Sequence, residues 1–85
     1  MTGKIDARTE VYGVIGHPVK HSLSPIMHNA AFDAREINAV YLAFEIKEGE
    51  LGRALSGAEA LGIRGLNVTI PYKVEIMKYI SRLDD

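Results

Sequence analysis

Eighty-five residues, 47% hydrophobic and 25% charged, suffice for one small domain with a modest core. Ten Lys and Arg against eleven Asp and Glu leave a net charge of −1, so no basic surplus points to nucleic acid or to a membrane surface. The absence of cysteine excludes disulfides and thiolate metal sites; no apolar run nears the roughly 20 residues that span a bilayer, and Met1–Asp6 lacks a signal-peptide core, so a soluble cytoplasmic protein is expected.

Met1 to Arg8 reads as a polar lead-in. Val11 to Gly16 is a nearly continuous apolar run, stopped by Gly16 and Pro18, as expected of a short strand buried on both faces. After a polar loop, Ser24-Pro25 reads as a helix start. Serine suits the N-cap because its oxygen accepts an N–H that the first turn leaves over, and proline suits the first helical position. Ile26, Met27, Ala30, Ala31 and Ala34 recur at helical spacing as the apolar stripe of that helix, which should end near Glu36. His28 and Phe32 fall off the stripe, on a second flank.

Ala39 to Phe44 is a second apolar run of strand formers, followed by polar Glu45 and Lys47. Leu51, Ala54, Leu55, Ala58 and Leu61 then share one helical face, and Gly62 is the expected C′ residue. Gly52 and Gly57 each weaken that helix by about 1 kcal/mol relative to Ala, unless they serve close packing on a sheet. Gly65 to Ile70 is the third strand. Pro71 starts a third helix, with Ile76, Ile80 and Leu83 as its stripe and Met77 beside it.

The βαβαβα alternation predicts an α/β fold: a three-layer, open, mainly parallel sheet with helices on both faces and strand order 2-1-3. Three strands make a thin sheet, and an uncovered edge is a liability. The chain is therefore expected to be truncated, a part of something longer.

In such sheets ligands bind beyond the carboxyl ends of the strands. The first strand–helix junction supplies His17, Lys20, His21, Ser22 and Ser24; the third supplies Asn67, Thr69 and Lys73. Order 2-1-3 would bring both junctions over one crevice. Two hydroxyls at a helix N-terminus favour an anion such as a carboxylate or phosphate, although Ser24 as a simple cap explains the same residues. Asn67 and Thr69 alternate with Val68 and Ile70, so both face one side of their strand, ready for a polyhydroxylated ligand or for loop backbone. Lys73 sits in a first helical turn, where a cation opposes the helix dipole. There the neutral amine needed by a general base is favoured, against the plainer reading of a snorkelling surface lysine. Gly13-x-x-Gly16 is not a dinucleotide fingerprint, and no phosphate-binding P-loop occurs. The three histidines lack partners at metal-ligand spacing, and no metal is expected. A Ser22–His21 nucleophile pair stays open, though sequence neighbours rarely face each other.

Tyr12-Gly13-Val14-Ile15-Gly16-His17-Pro18, His21-Ser22-Leu23-Ser24-Pro25 and Met27-His28-Asn29 together resemble the N-terminal motif of shikimate dehydrogenases. Gly65-Leu66-Asn67-Val68-Thr69-Ile70-Pro71-Tyr72-Lys73 is similar to that family's second motif, in the same order and spacing. The resemblance covers the chain from Val11 onward. It implies the N-terminal substrate domain of an enzyme that reversibly reduces 3-dehydroshikimate to shikimate with NADPH, on the route to aromatic amino acids. It further implies that Ser22 and Ser24 hold the substrate carboxylate, that Asn67, Thr69 and Lys73 bind its hydroxyl side, and that Lys73 is the catalytic lysine. NADP would be bound by a C-terminal Rossmann domain outside these residues, as would the aspartate that partners the lysine, so the 85 residues alone are expected to be inactive. His17 departs from the Asn of many members. Quinate or aminoshikimate dehydrogenases, and a non-catalytic small-acid binding module, are the alternatives. The partner expected is the small-molecule substrate, with monomer and homodimer both open.

Overall fold

A computed structural model describes residues 5–69. The elements follow in the order β1 (Glu10–Gly16), α1 (Ser24–Ala34), β2 (Ala39–Glu45), α2 (Leu51–Leu61) and β3 (Gly65–Val68). β1 is the central strand and pairs in parallel with both others, giving the order β2-β1-β3. Val14 lies opposite Ala43 on one side and Asn67 on the other. The expected parallel sheet and its order are therefore present. The third helix, Ile70 and Lys73 lie outside the described residues.

Alternation along β1 divides the core in two. Val14 joins Val19 and Tyr41, with Phe32 of α1 packed against them. Ile15, next along the strand, points to the other face and joins Leu51 of α2, with Phe44, Leu55, Leu66 and Val68 around it. Handedness requires this split. The chain crosses from β1 to β2 in one direction and from β2 to β3 in the other, so right-handed crossovers place α1 and α2 on opposite faces. Val14 and Ile15 are each 2% exposed, as a strand covered on both sides demands.

α2 matches its sequence pattern for most of its length. Leu51 is fully buried, and Gly62 takes a left-handed φ of 74°, closing the helix as a C′ glycine does. Two expectations fail there. Leu61 is 81% exposed. A Cβ added at Gly57 would meet nothing within 4 Å, so that glycine serves no close packing on the sheet.

α1 departs further. The expected apolar stripe does not face the sheet: Ile26 is 70% and Met27 68% exposed. The helix docks instead through Asn29 and Phe32, with His28 alongside. Asn29 fixes its rotation. Its Nδ2 donates to the Tyr41 carbonyl oxygen at 2.9 Å, and its Oδ1 accepts from the Tyr41 N–H at 2.8 Å. β2 borders the sheet on this side, so the outward backbone groups of Tyr41 need a partner. One side-chain amide supplies both halves of the pair that a further strand would give.

Candidate functional site

Ser22 and Ser24 follow the carboxyl end of β1, and Asn67 and Thr69 stand at that of β3, on the α1 face; Lys20 lines a hollow on the α2 side instead, and Lys73 lies outside the described residues. Ser22 and Ser24 stand at the start of α1, and both are half-buried. Ser24 is not the N-cap expected from the sequence. Leu23 takes that position, and Ser24 is the first helical residue. Ser22 provides the capping oxygen, accepting the Ser24 N–H at 3.1 Å. The physical reason is the loop geometry: the Ser22 N–H donates to the Val19 carbonyl at 3.0 Å, which turns the chain one residue before the helix begins. As an acceptor from backbone, Ser22 keeps its own hydroxyl hydrogen to donate. Two hydroxyl donors beside the N–H groups of a first helical turn form an environment for an anion.

Asn67 and Thr69 share the α1 face, as their alternation requires, while Leu66 and Val68 pack on the α2 side. Asn67 Nδ2 donates to the Tyr41 hydroxyl at 2.7 Å. Thr69 continues past β3, its N–H donating to the Ile15 carbonyl at 2.9 Å and its Oγ1 donating to the same oxygen at 3.2 Å. A Cβ at Gly16 would collide with Thr69 Oγ1 and come within 3.3 Å of Val19 Cβ. Glycine at that position lets the third strand's end approach the first loop. Ser22, Val19, Gly16 and Thr69 thus form a continuous run of neighbours that joins the two junctions.

Glu45, at the end of β2, ties the loop down. Its Oε1 accepts the Val19 N–H at 3.1 Å. That bond, reinforced by the Lys20 N–H and by the charges of His17 and Lys20, holds its carboxyl below the usual 4.5 despite some opposing desolvation.

Sequence reasoning missed three residues here. Tyr41 read as one of several strand apolars, yet its hydroxyl contacts Asn67. His28 had no reading beyond packing, yet its ring stacks on Tyr41 with centroids 4.2 Å apart and planes at 11°. Glu45 was only a polar residue after the second strand. Period-two alternation along β2 is the signal that finds Tyr41 and Glu45, since Tyr41, Ala43 and Glu45 share the α1 face; His28, on α1, had no such signal.

An open apolar hollow of about 520 Å³ lies elsewhere, lined by Ile15, Phe44, Leu66 and the Ala54, Ala58 and Leu61 side of α2, with Lys20 and Glu45 as its charged members. It offers mainly hydrocarbon, whereas the hydroxyls and amides collect on the α1 face. The chemistry places the site with the latter.

Residues 14–85 match the family model described as the shikimate dehydrogenase substrate binding domain. The chain belongs to this family. Shikimate dehydrogenase (NADP(+)) of Thermococcus kodakarensis is 60% identical over 80 residues, covering 94% of this chain and 29% of that protein. Its counterpart in Methanocaldococcus jannaschii is 58% identical over 80 residues, covering 94% and 28%. The crystal structure of shikimate 5-dehydrogenase from Listeria monocytogenes, in complex with shikimate and NAD, superposes with a TM-score of 0.86 at 46% identity, covering 93% of this chain and 27% of that one. This substrate-binding-domain chain therefore spans less than a third of the length of the relatives it matches. Among its described residues, no helix is long and apolar enough to cross a membrane.

Proposed function

We propose that this chain is the shikimate-binding part of an NADP-dependent shikimate dehydrogenase, which reversibly reduces 3-dehydroshikimate to shikimate. One observation carries the reading: the motif residues of two separate junctions converge on one face at the carboxyl ends of β1 and β3. Ser22 and Ser24 hold the substrate carboxylate with hydroxyl donors at a helix N-terminus. Asn67 and Thr69 receive the hydroxyl side of the ring. Lys73, four residues on in sequence, gives a proton to the carbonyl oxygen during reduction and removes it from the hydroxyl during oxidation.

NADP supplies the hydride chemistry, and the described residues do not fit it. Gly13 has no phosphate cradle over it: a Cβ there would meet Phe44 and, at 2.7 Å, the Leu42 carbonyl oxygen. Gly16 is closed by Thr69. The cofactor domain accordingly belongs to the remainder of the full-length protein, for which a cytoplasmic location suits an NADPH-consuming biosynthetic step. The names of the curated relatives support shikimate over quinate or aminoshikimate, and support an enzyme over a non-catalytic binding module.

Kinetics of the full-length protein test the reading. Lys73→Ala should lower kcat for NADP-dependent shikimate oxidation by about 10²-fold or more, the scale of a lost general acid–base, while KM for shikimate changes little. An unchanged kcat with a large rise in KM would make Lys73 a binding residue only.

A further inference from the structure

Tyr41 is 3% exposed, yet its hydroxyl ends at an exposed side chain of the candidate site. The ring is fixed from several directions. Its backbone N–H and C=O are both held by Asn29, and the strand to either side of it pairs with β1. One ring face carries His28, stacked at 4.2 Å. Val14 and Val19 pack around it. A ring so confined presents its hydroxyl at one point, and at that point it meets Asn67 Nδ2 at 2.7 Å, across the central strand.

Asn67 needs such a partner. It lies near the end of β3, where an exposed side chain left unheld is free to change rotamer. With Nδ2 engaged by Tyr41, the opposite end, Oδ1, is the one left to meet a ligand. We propose that Tyr41 is a positioning residue: by bonding Asn67 Nδ2 it holds that side chain in one place, with Oδ1 turned to meet a hydroxyl of the substrate. This rests on the reading of Asn67 as a shikimate-binding residue. It adds a specificity element reached from β2, the strand that contributes no motif residue of its own. Asn29 holds the Tyr41 backbone and His28 its ring, so α1 and Asn67 are registered to each other through one tyrosine.

The test uses the full-length enzyme with Tyr41→Phe, Asn67→Ala and the double variant. Tyr41→Phe keeps the ring, the stack and the backbone bonds while removing the hydroxyl. KM for shikimate should rise roughly 3- to 10-fold, the worth of one hydrogen bond, with kcat altered less than about twofold and KM for NADP+ unchanged. In the Asn67→Ala background the same substitution should have no further effect on KM, because the group through which it acts is gone. A merely structural role would lower the thermal midpoint and raise KM equally in both backgrounds, and that outcome overturns the proposal. If Asn67→Ala raises KM while Tyr41→Phe does not, the positioning role fails and the site reading survives. If Asn67→Ala leaves KM unchanged, the reading of Asn67 itself fails, and the inference falls with it.

Discussion

α2 lies on the sheet through hydrocarbon: Leu51 is fully buried against Ile15, and Leu55 packs beside it. α1 lies on the opposite face largely through polar and aromatic contacts: the Asn29 amide bonded to the Tyr41 backbone, the His28–Tyr41 stack, and Phe32. Burial of a leucine is insensitive to helix rotation over many degrees, whereas two hydrogen bonds from one amide tolerate little. The helix that begins at Ser24, with Ser22 in the loop just before it, is thus the one held with directional bonds. The other supplies core.

The largest effect should come from α2. Leu51→Ala removes a fully buried side chain and should destabilise the 85-residue chain by about 2–5 kcal/mol, read from the urea midpoint. A loss under 1 kcal/mol would mean that the α2 face is not the principal core. Asn29→Ala should cost less, about 1–3 kcal/mol, because it leaves one N–H and one C=O of a partly buried edge unpaired. It should also weaken shikimate binding in the full-length protein, since the serines lose their register. Full stability together with unchanged binding would show that the directional bonds do not position α1.

Acid separates the two helices by a different route. Glu45 holds the loop that leads into α1, and the Val19 N–H, first among its partners, draws its pKa below the usual 4.5. With the folded-state pKa below the unfolded one, the stabilisation is complete above the ordinary carboxylate range and is lost as pH falls through the lowered value. Asp6, bonded to Asn38 and the Arg8 N–H at the other end of the sheet, is lowered too and loses its contribution in the same direction. The wild type minus Glu45→Gln difference isolates the loop. The protection factor of the Val19 amide against hydrogen exchange should fall on acidification in the wild type and stay nearly pH-independent in Glu45→Gln. Equal pH dependence in both proteins would remove Glu45 from the account.

The same contrast governs what the sequence made legible. The three strands, most of the α2 face and the Gly62 terminus followed from apolar spacing and a glycine, signals that hydrophobic burial writes directly into residue type; the order 2-1-3 came from the kind of sheet expected and not from spacing. The rotation of α1 did not follow, because Asn29 reads as an ordinary polar residue until an edge strand with free backbone groups stands beside it. Ser24 looked like the cap because its position before Pro25 is the usual one; the Ser22–Val19 turn that moves the capping oxygen two residues back is a property of the loop. Asn67 and Thr69 were legible as a pair from alternation alone. Their connection to Tyr41 and Gly16 needed the register of three strands.

The smallest effect is the sharpest test of the difference between the helices. Ile26 belongs to the apolar stripe of α1, and by spacing alone it should be as costly to change as Leu51. At 70% exposed it has little buried surface to lose, and Ile and Ser differ little in helix propensity. Ile26→Ser should therefore shift the stability of the 85-residue chain by no more than about 0.5 kcal/mol, measured beside Leu51→Ala under the same conditions. Two comparable losses would mean that α1 is seated on its apolar stripe after all. The Asn29–Tyr41 bonds could not then form, because the stripe as a whole lies opposite the side of α1 that carries His28, Asn29 and Phe32, and seating it turns Asn29 away from β2. A silent Ile26→Ser beside a costly Leu51→Ala would instead tie the rotation of α1 to Asn29, and with it the placement of Ser22 and Ser24.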